Sequence, residues 1–119
     1  MLESKLYLIE HKEVNDNDVV YSIRQNKSNE IFKAHFPGNP ITPGACLIEI
    51  AKELCEKHFE RKLCIKSIKN VKFISLITPI ENEFLKFKFT FSMNENTISA
   101  KVQIISDGNI CSKISFELA

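Results

Sequence analysis

Two side chains of this sequence, His35 and Glu49, are joined by a segment that could hold them in place for proton transfer. The segment begins with the run from His35 to Gly44, HFPGNPITPG, which contains three of the chain's four prolines and two of its three glycines. Proline fixes the backbone angle φ and glycine reaches conformations closed to other residues, so this run predicts a rigid loop. A free imidazole has a pKa of about 6.5, which suits proton transfer at neutral pH. His35 is therefore a candidate general base.

The loop leads into a segment that predicts the one substantial helix, at about 44–60. The first backbone N–H groups of a helix have no partner inside it and lie at the positive end of its dipole. They could therefore stabilise an oxygen that gains negative charge. The residues that recur at helical spacing in this segment are Leu47, Ile50, Ala51, Leu54, Cys55, His58 and Phe59.

Glu49 and His35 each have a structural interpretation as well as a catalytic one. Glutamates at 49, 53, 56 and 60 are typical of a solvated helix face, and a loop histidine can simply satisfy backbone groups. The other residues of 45–51 are apolar, however, which predicts that protein encloses this part of the helix on all sides. An imidazole, an acid and free amides together could enolise a carbonyl and expel a poor leaving group. We favour the catalytic interpretation of the pair.

The remaining sequence predicts an antiparallel sheet. Alternating residues predict strands near 5–11 and 18–25, and a further strand through Ser67–Leu76. Three strands at the end of the chain follow the alternating series that begin at Phe87, Ile98 and Ile110, with hairpin turns at 94–96 and 106–109. The predicted fold class is α+β, with about five or six strands wrapped around one long central helix. The open edge of such a sheet predicts pairing of two copies.

Composition limits the classes of function. A chain of 119 residues suits a single domain, 1–119, and a net charge of +1 argues against a nucleic-acid-binding protein. The charged start of the chain and the lack of a long apolar run predict no signal peptide, no membrane span and a cytoplasmic location. The four cysteines lack metal-ligand spacing, so we expect small buried thiols and no metal site.

The motif His35-Phe-Pro-Gly-x-Pro-x-x-Pro-Gly44, with Glu49 fourteen residues after the histidine, resembles the hot-dog-fold 3-hydroxyacyl-acyl-carrier-protein dehydratases of fatty-acid synthesis. The match is specific over residues 33–51, and Lys72-Phe73 followed by Pro79 is similar to the family's next strand. The resemblance implies a hot-dog fold, a sheet wrapped around one long helix, that works as a homodimer. It implies no cofactor.

The resemblance also implies a role for each matching residue. His35 would take the C2 proton of a 3-hydroxyacyl thioester, and Glu49 of the partner subunit would protonate or orient the departing hydroxyl. The amides of Gly38, Gly44 and Ala45 would bind the thioester oxygen. Candidates for lining an apolar acyl tunnel along the dimer interface are Phe32, Phe36, Ile41, Ile48 and Phe73. An acyl carrier protein with its phosphopantetheine-linked substrate could dock on basic residues that are otherwise solvated surface, namely Arg61, Lys62, Lys66, Lys69 and Lys72.

Some positions depart from the family pattern and leave alternatives open. Thr42 stands where relatives usually have methionine, Glu53 where they usually have glutamine, and Glu81-Asn82 where a Pro-Gly-Asp turn is common. With the short chain, these changes could alter chain-length preference or indicate a specialised lipid or polyene pathway. Glutamate at position 49, where aspartate is the alternative, resembles the branch of the family that dehydrates the substrate without also isomerising the double bond. The alternatives are a hot-dog thioesterase, in which the helix acid activates water, and a non-catalytic partner that binds an acyl carrier.

Overall fold

The computed structural model describes residues 1–34 and 40–119, which form six strands and two helices. Neither described helix has the length and apolar character of a membrane span. The strands form one antiparallel sheet in the order β1-β2-β4-β5-β6-β3, so β3, which follows the long helix in sequence, lies at a sheet edge. The elements are β1 (Tyr7–Asn15), β2 (Asp18–Gln25), α1 (Glu30–Ala34), α2 (Gly44–Phe59), β3 (Ile65–Phe73), β4 (Phe84–Met93), β5 (Ile98–Ser106) and β6 (Asn109–Leu118).

One hydrophobic core joins α2 to the sheet. Leu47, Ile50 and Leu54 on one side of α2 are buried, as their helical spacing predicted. In β2, every second side chain from Val19 to Gln25 is buried, so this strand turns one face to the core. The predicted arrangement of about five or six antiparallel strands and one long helix is confirmed, with six strands in the described residues. Strands β4, β5 and β6 contribute the buried side chains Leu85, Phe87, Phe89, Ile98, Ala100, Val102, Ile104, Ile114, Phe116 and Leu118.

Strand β1 is longer than the predicted segment 5–11. It starts at Tyr7, because Ser4 has a positive φ of 67° and the preceding residues form a turn. It continues to Asn15, which pairs with Asp18 of β2. The side chains of residues 10–15 are all exposed, so no apolar alternation marks this half of the strand. Pairing with β2, and not burial, keeps it in the sheet.

Strand β3 covers 65–73, so the predicted segment 67–76 began two residues late and extended three residues too far. Beyond Phe73 the backbone leaves the ladder, because the N–H groups of Ile74 and Ser75 both donate to the carbonyl of Cys111, at 2.8 and 3.1 Å. The two hairpin turns are confirmed. Asp107 and Gly108 connect β5 to β6 with φ of 49° and 79°, the left-handed backbone that a tight two-residue hairpin requires.

The prediction of small buried thiols is confirmed for Cys55 and Cys111 and wrong for Cys64, which is exposed beyond the end of α2. Burial raises the pKa of the thiols of Cys46 and Cys55, so neither is a ready nucleophile at neutral pH. Within the described ranges, no group of three or more histidine, cysteine, aspartate or glutamate side chains is placed to hold a metal ion.

Glu53 ties the N-terminal residues to the middle of α2. Its side chain is only 4% exposed. Its Oε2 accepts the backbone N–H of Leu2 at 2.8 Å, while Oε1 accepts the N–H of Glu3 and the hydroxyl of Tyr7, each at 3.0 Å. Burial and the charge of Glu53 raise the pKa of the Tyr7 phenol, which keeps it a proton donor. Three hydrogen-bond donors thus satisfy this buried carboxyl group, at a position where relatives usually have glutamine.

Replacing Glu53 by leucine is expected to destabilise the fold by about 3 kcal/mol, because it leaves one buried and two partly buried donors without their acceptor. The measurement is equilibrium urea unfolding of the two proteins under identical conditions. Glu53→Gln is the matched control, since its amide oxygen keeps one acceptor in place, and its loss should be clearly smaller. Equal stability of Glu53→Leu and the unmodified chain would show that these three hydrogen bonds contribute nothing net.

Candidate active site

The first turn of α2 presents the backbone amides that the sequence predicted for binding an oxyanion. The helix begins after Pro43, which has an extended backbone (φ −61°, ψ 145°) and makes no side-chain capping bond. The N–H groups of Cys46 and Leu47 donate to the Pro43 carbonyl at 3.0 and 3.2 Å. Within the described part of the chain, the N–H groups of Gly44 and Ala45 donate to no acceptor. They are therefore available to an oxygen that gains negative charge.

The ring of Phe73, the last residue of β3, lies against this helix start. A Cβ atom on Gly44 would lie 2.5 Å from Cζ of Phe73 and 3.0 Å from its Cε2. Glycine is thus the residue that lets the ring approach here. Phe73 is 54% exposed, so the helix start is bordered by an accessible aromatic surface. The sequence predicted both residues for the site but not their contact.

Thr42 fixes the segment that enters α2. Its N–H donates to the carbonyl of Ile77 at 2.8 Å, and its hydroxyl donates to Oε1 of Gln25 at 2.5 Å. Gln25 in turn donates from Nε2 to the carbonyl of Asn82 at 2.8 Å. Thr42 and Gln25 are both buried. The threonine that departs from the family pattern therefore belongs to a buried polar network, and its side chain is directed to Gln25.

Glu49 lies just over one turn into α2 with its side chain 37% exposed, and Lys52 Nζ is 3.1 Å from its Oε2. The prediction that residues 45–51 are enclosed on all sides is wrong for the single chain, because Ala45 is exposed and Ile48 is only partly buried. The row of glutamates is not one solvated stripe either, since the residue at 53 is buried. The direction in which each side chain leaves α2 decides which of these residues are exposed and which are buried. Spacing along the sequence did not predict these directions fully.

The acyl-tunnel candidates lie in different environments. Ile41 and Ile48 are partly exposed, and together with Phe73 they place apolar surface around the helix start. Phe32 is 2% exposed and belongs to the hydrophobic core. Phe36, the candidate base His35 and the candidate oxyanion donor Gly38 lie outside the described residues. Their roles stay predictions from the sequence motif.

The candidate carrier-docking residues do not form one patch. Arg61 and Lys62 follow the C-terminal end of α2, a helix of 16 residues and therefore about 24 Å long. Lys72 lies next to Phe73, at the end of β3 that contacts Gly44. Lys66 is exposed near the start of β3, and Lys69 makes an ion pair with Glu117 at 3.7 Å. Among these cations, Lys72 is thus next to the residue whose ring lies against Gly44.

Comparison with known proteins identifies the family of this chain and its fold. The profile of the ApeI-like family, described as ApeI dehydratase, matches residues 11–114. The chain belongs to the ApeI-like dehydratase family. The resemblance to the hot-dog 3-hydroxyacyl-acyl-carrier-protein dehydratases, drawn from residues 33–51, is thereby confirmed at the level of the family.

Curated relatives of this ApeI-like chain include two dehydratases. The 3-hydroxyacyl-acyl-carrier-protein dehydratase FabZ of Lactococcus lactis is 31% identical over 85 residues, covering 66% of this chain and 56% of the relative. FabZ of Clostridium acetobutylicum is 32% identical over 73 residues, covering 51% of this chain and 52% of the relative. The chain therefore spans about half the length of these relatives.

Solved structures similar to the ApeI-like chain confirm the hot-dog fold. The dehydratase heterocomplex ApeI:P from Xenorhabdus doucetiae has a TM-score of 0.75 at 18% identity, covering 94% of this chain and 96% of that one. A mutant thioesterase from Pseudomonas aeruginosa has a TM-score of 0.66 at 11% identity, covering 91% and 78%. At such identities the likeness concerns the fold, which different enzymes share.

Sequence reasoning missed Lys52, the anchoring role of Glu53 and the partner of Thr42. A lysine three residues after a candidate catalytic glutamate was a usable signal, because side chains at i and i+3 are neighbours on a helix. The partners of Glu53 and Thr42 gave no such signal, since they lie 46 to 51 residues away for Glu53 and 17 for Thr42.

Proposed function

We propose that this chain removes water from 3-hydroxyacyl thioesters carried on an acyl carrier protein and releases trans-2-enoyl thioesters. The reaction would serve fatty-acid or related lipid or polyene biosynthesis in the cytoplasm. One observation carries the proposal: the amides of Gly44 and Ala45, which donate to no acceptor among the described residues, open the helix that presents the partly exposed side chain of Glu49. The FabZ relatives and the ApeI-like profile support the reaction class.

In the proposed mechanism, the thioester oxygen binds at the amides of Gly44 and Ala45, with Gly38 as a third candidate donor. These donors stabilise the negative charge that the oxygen gains when His35 removes the proton from C2. The electron pair of the broken C–H bond then forms the C2–C3 double bond as the C3–O bond breaks. The hydroxyl leaves with a proton as water, and Glu49 protonates or orients it.

We propose further that two copies form a homodimer with shared active sites, each pairing His35 of one subunit with Glu49 of the other. Strand β3 is at the edge of the sheet and has an unpaired side in the single chain. Its Ile68 and Phe73 are large apolar side chains exposed by 48% and 54%. An exposed apolar edge strand of this kind favours pairing with another strand. A second copy would also cover the open side of residues 45–48.

The function is tested with the purified chain and a chain-length series of 3-hydroxyacyl groups on an acyl carrier protein, read by mass spectrometry. The expected result is an enoyl carrier product that has lost one water. Release of free thiol without an enoyl product would show that the chain hydrolyses the thioester and does not dehydrate the acyl group. Carrier binding without any product would indicate a non-catalytic partner. Coenzyme A thioesters run in parallel show whether the carrier is required.

A further inference from the structure

Lys52 forms an ion pair with Glu49, and its side chain is less exposed than that of Glu49. The two residues are one turn apart on α2, and Lys52 Nζ lies 3.1 Å from Glu49 Oε2. The Lys52 side chain is only 23% exposed, less than the 37% of Glu49. The ammonium group is therefore held close to the helix surface and beside the candidate catalytic carboxyl group.

The two oxygens of Glu49 are in different environments. Oε2 has almost no accessible surface, and within the described residues no hydrogen-bond donor of good geometry meets it apart from the ion pair with Lys52. The exposure of the Glu49 side chain lies on its other atoms, and Oε1 is not among the buried unpartnered oxygens. One oxygen thus faces Lys52, and no described residue donates a hydrogen bond to the other.

We propose that Lys52 is a positioning residue for Glu49. It holds Oε2 in an ion pair, fixes the rotation of the carboxylate and directs Oε1 to the hydroxyl of the substrate. Glu49 then orients that hydroxyl as a hydrogen-bond acceptor, and the proton that leaves with the hydroxyl is the one that His35 removed from C2. The inference rests on the proposed function and decides between the two roles that Glu49 has in it.

The charges around Lys52 support an ammonium group at neutral pH. Burial alone would lower the pKa of Lys52. The contact with Glu49 and the charge of that carboxylate, followed by the charges of Glu56 and Glu53, outweigh burial and raise the pKa above its usual value. The groove beside Lys52 is lined by Lys57 of the same helix and by Glu3, Arg61 and Lys62 from outside α2. The neighbouring β1 contributes the phenol of Tyr7, which is hydrogen-bonded to Glu53.

The test compares the variants Lys52→Met, Lys52→Arg and Lys57→Met in steady-state dehydration. Loss of positioning in Lys52→Met should lower kcat by about 10- to 100-fold with little change in KM, because the substrate still binds but meets a misplaced carboxylate. Lys52→Arg keeps the cation and should recover most of that loss. Lys57→Met is the matched control, since it removes another ion-paired lysine of α2, 3.5 Å from Glu3. It should leave kcat unchanged.

A second readout does not depend on turnover. The ammonium group of Lys52 is titrated by NMR in the unmodified chain and in Glu49→Gln, and the pKa of Lys52 should be lower in the variant because the largest raising contributions are gone. An unchanged titration would show that the pair does not exist in solution and would overturn the inference.

The kinetic outcomes separate the inference from the proposed function. If Lys52→Met turns over like the unmodified chain, if Lys57→Met loses as much, or if Lys52→Arg recovers nothing, Lys52 does not position Glu49. If the fall in turnover of Lys52→Met is explained by a lower unfolding temperature, Lys52 likewise does not position Glu49. Absence of dehydration in the unmodified chain would instead overturn the proposed function, and positioning of a reacting carboxylate would fall with it.

Discussion

In Glu49→Gln, turnover of a 3-hydroxyacyl carrier substrate is expected to fall by about 100- to 1,000-fold, the loss typical when one charged or hydrogen-bonding partner of the reacting group is removed. The amide nearly preserves the volume of the side chain but removes its charge and its proton exchange. Glu49 is partly exposed and outside the hydrophobic core, so the unfolding temperature should change little. The measurement is the initial rate of enoyl formation over a range of substrate concentrations.

Glu56→Gln is the matched control for Glu49→Gln, because it makes the same chemical change two turns further along α2. Oε2 of Glu56 accepts the backbone N–H of Leu63 at 2.9 Å, and an amide oxygen can accept the same bond. Turnover of Glu56→Gln should stay within about twofold of that of the unmodified chain, as expected for a change that touches no reacting atom. Comparable activity in the two variants would remove Glu49 from the mechanism.

His35→Ala is expected to reduce the same turnover by about 100- to 10,000-fold, because the proposed mechanism assigns removal of the C2 proton to His35 alone. The effect should appear in kcat, since substrate binding relies on the acyl chain and the helix amides. His11→Ala is the control, because His11 is exposed on β1 and has no assigned role. A small effect of His35→Ala with intact folding would contradict the proposed general base.

Mixing the two inactive variants tests whether the active site is shared between subunits. A dimer with one His35→Ala subunit and one Glu49→Gln subunit would hold one site with both natural residues, if each site combines two subunits. Random exchange of subunits should then restore about one quarter of the original rate, since half of the dimers would be mixed and each would have one intact site of two. No recovery after verified exchange would place the two residues in sites formed by one subunit.

The sequence determined the parts of this protein that depend on local chemistry. The apolar spacing of α2 and the alternation in β2, β4, β5 and β6 marked elements that bury one face, and turn residues such as Asp107 and Gly108 marked a hairpin. The motif from His35 to Gly44 indicated the family by its residues alone, and it predicted a loop because proline fixes φ and glycine reaches conformations closed to other residues.

The ends of the first and third strands depended on the tertiary structure. The polar half of β1 has no burial pattern and is held only by its pairing with β2. Strand β3 stops at Phe73, because the next two N–H groups turn to the carbonyl of Cys111 in β6. Hydrogen bonds to distant strands set these boundaries, and they have no local signal in the sequence.

The arrangement of the candidate site was likewise decided by the folded chain. The sequence placed Gly44 and Glu49 on one helix, but folding brought Phe73 against Gly44 and directed Oε2 of Glu49 to Lys52. It also satisfied the buried carboxyl of Glu53 with donors 46 to 51 residues away. Spacing along a helix tells which side chains share a face, whereas their rotamers and distant partners are set by packing of the whole chain.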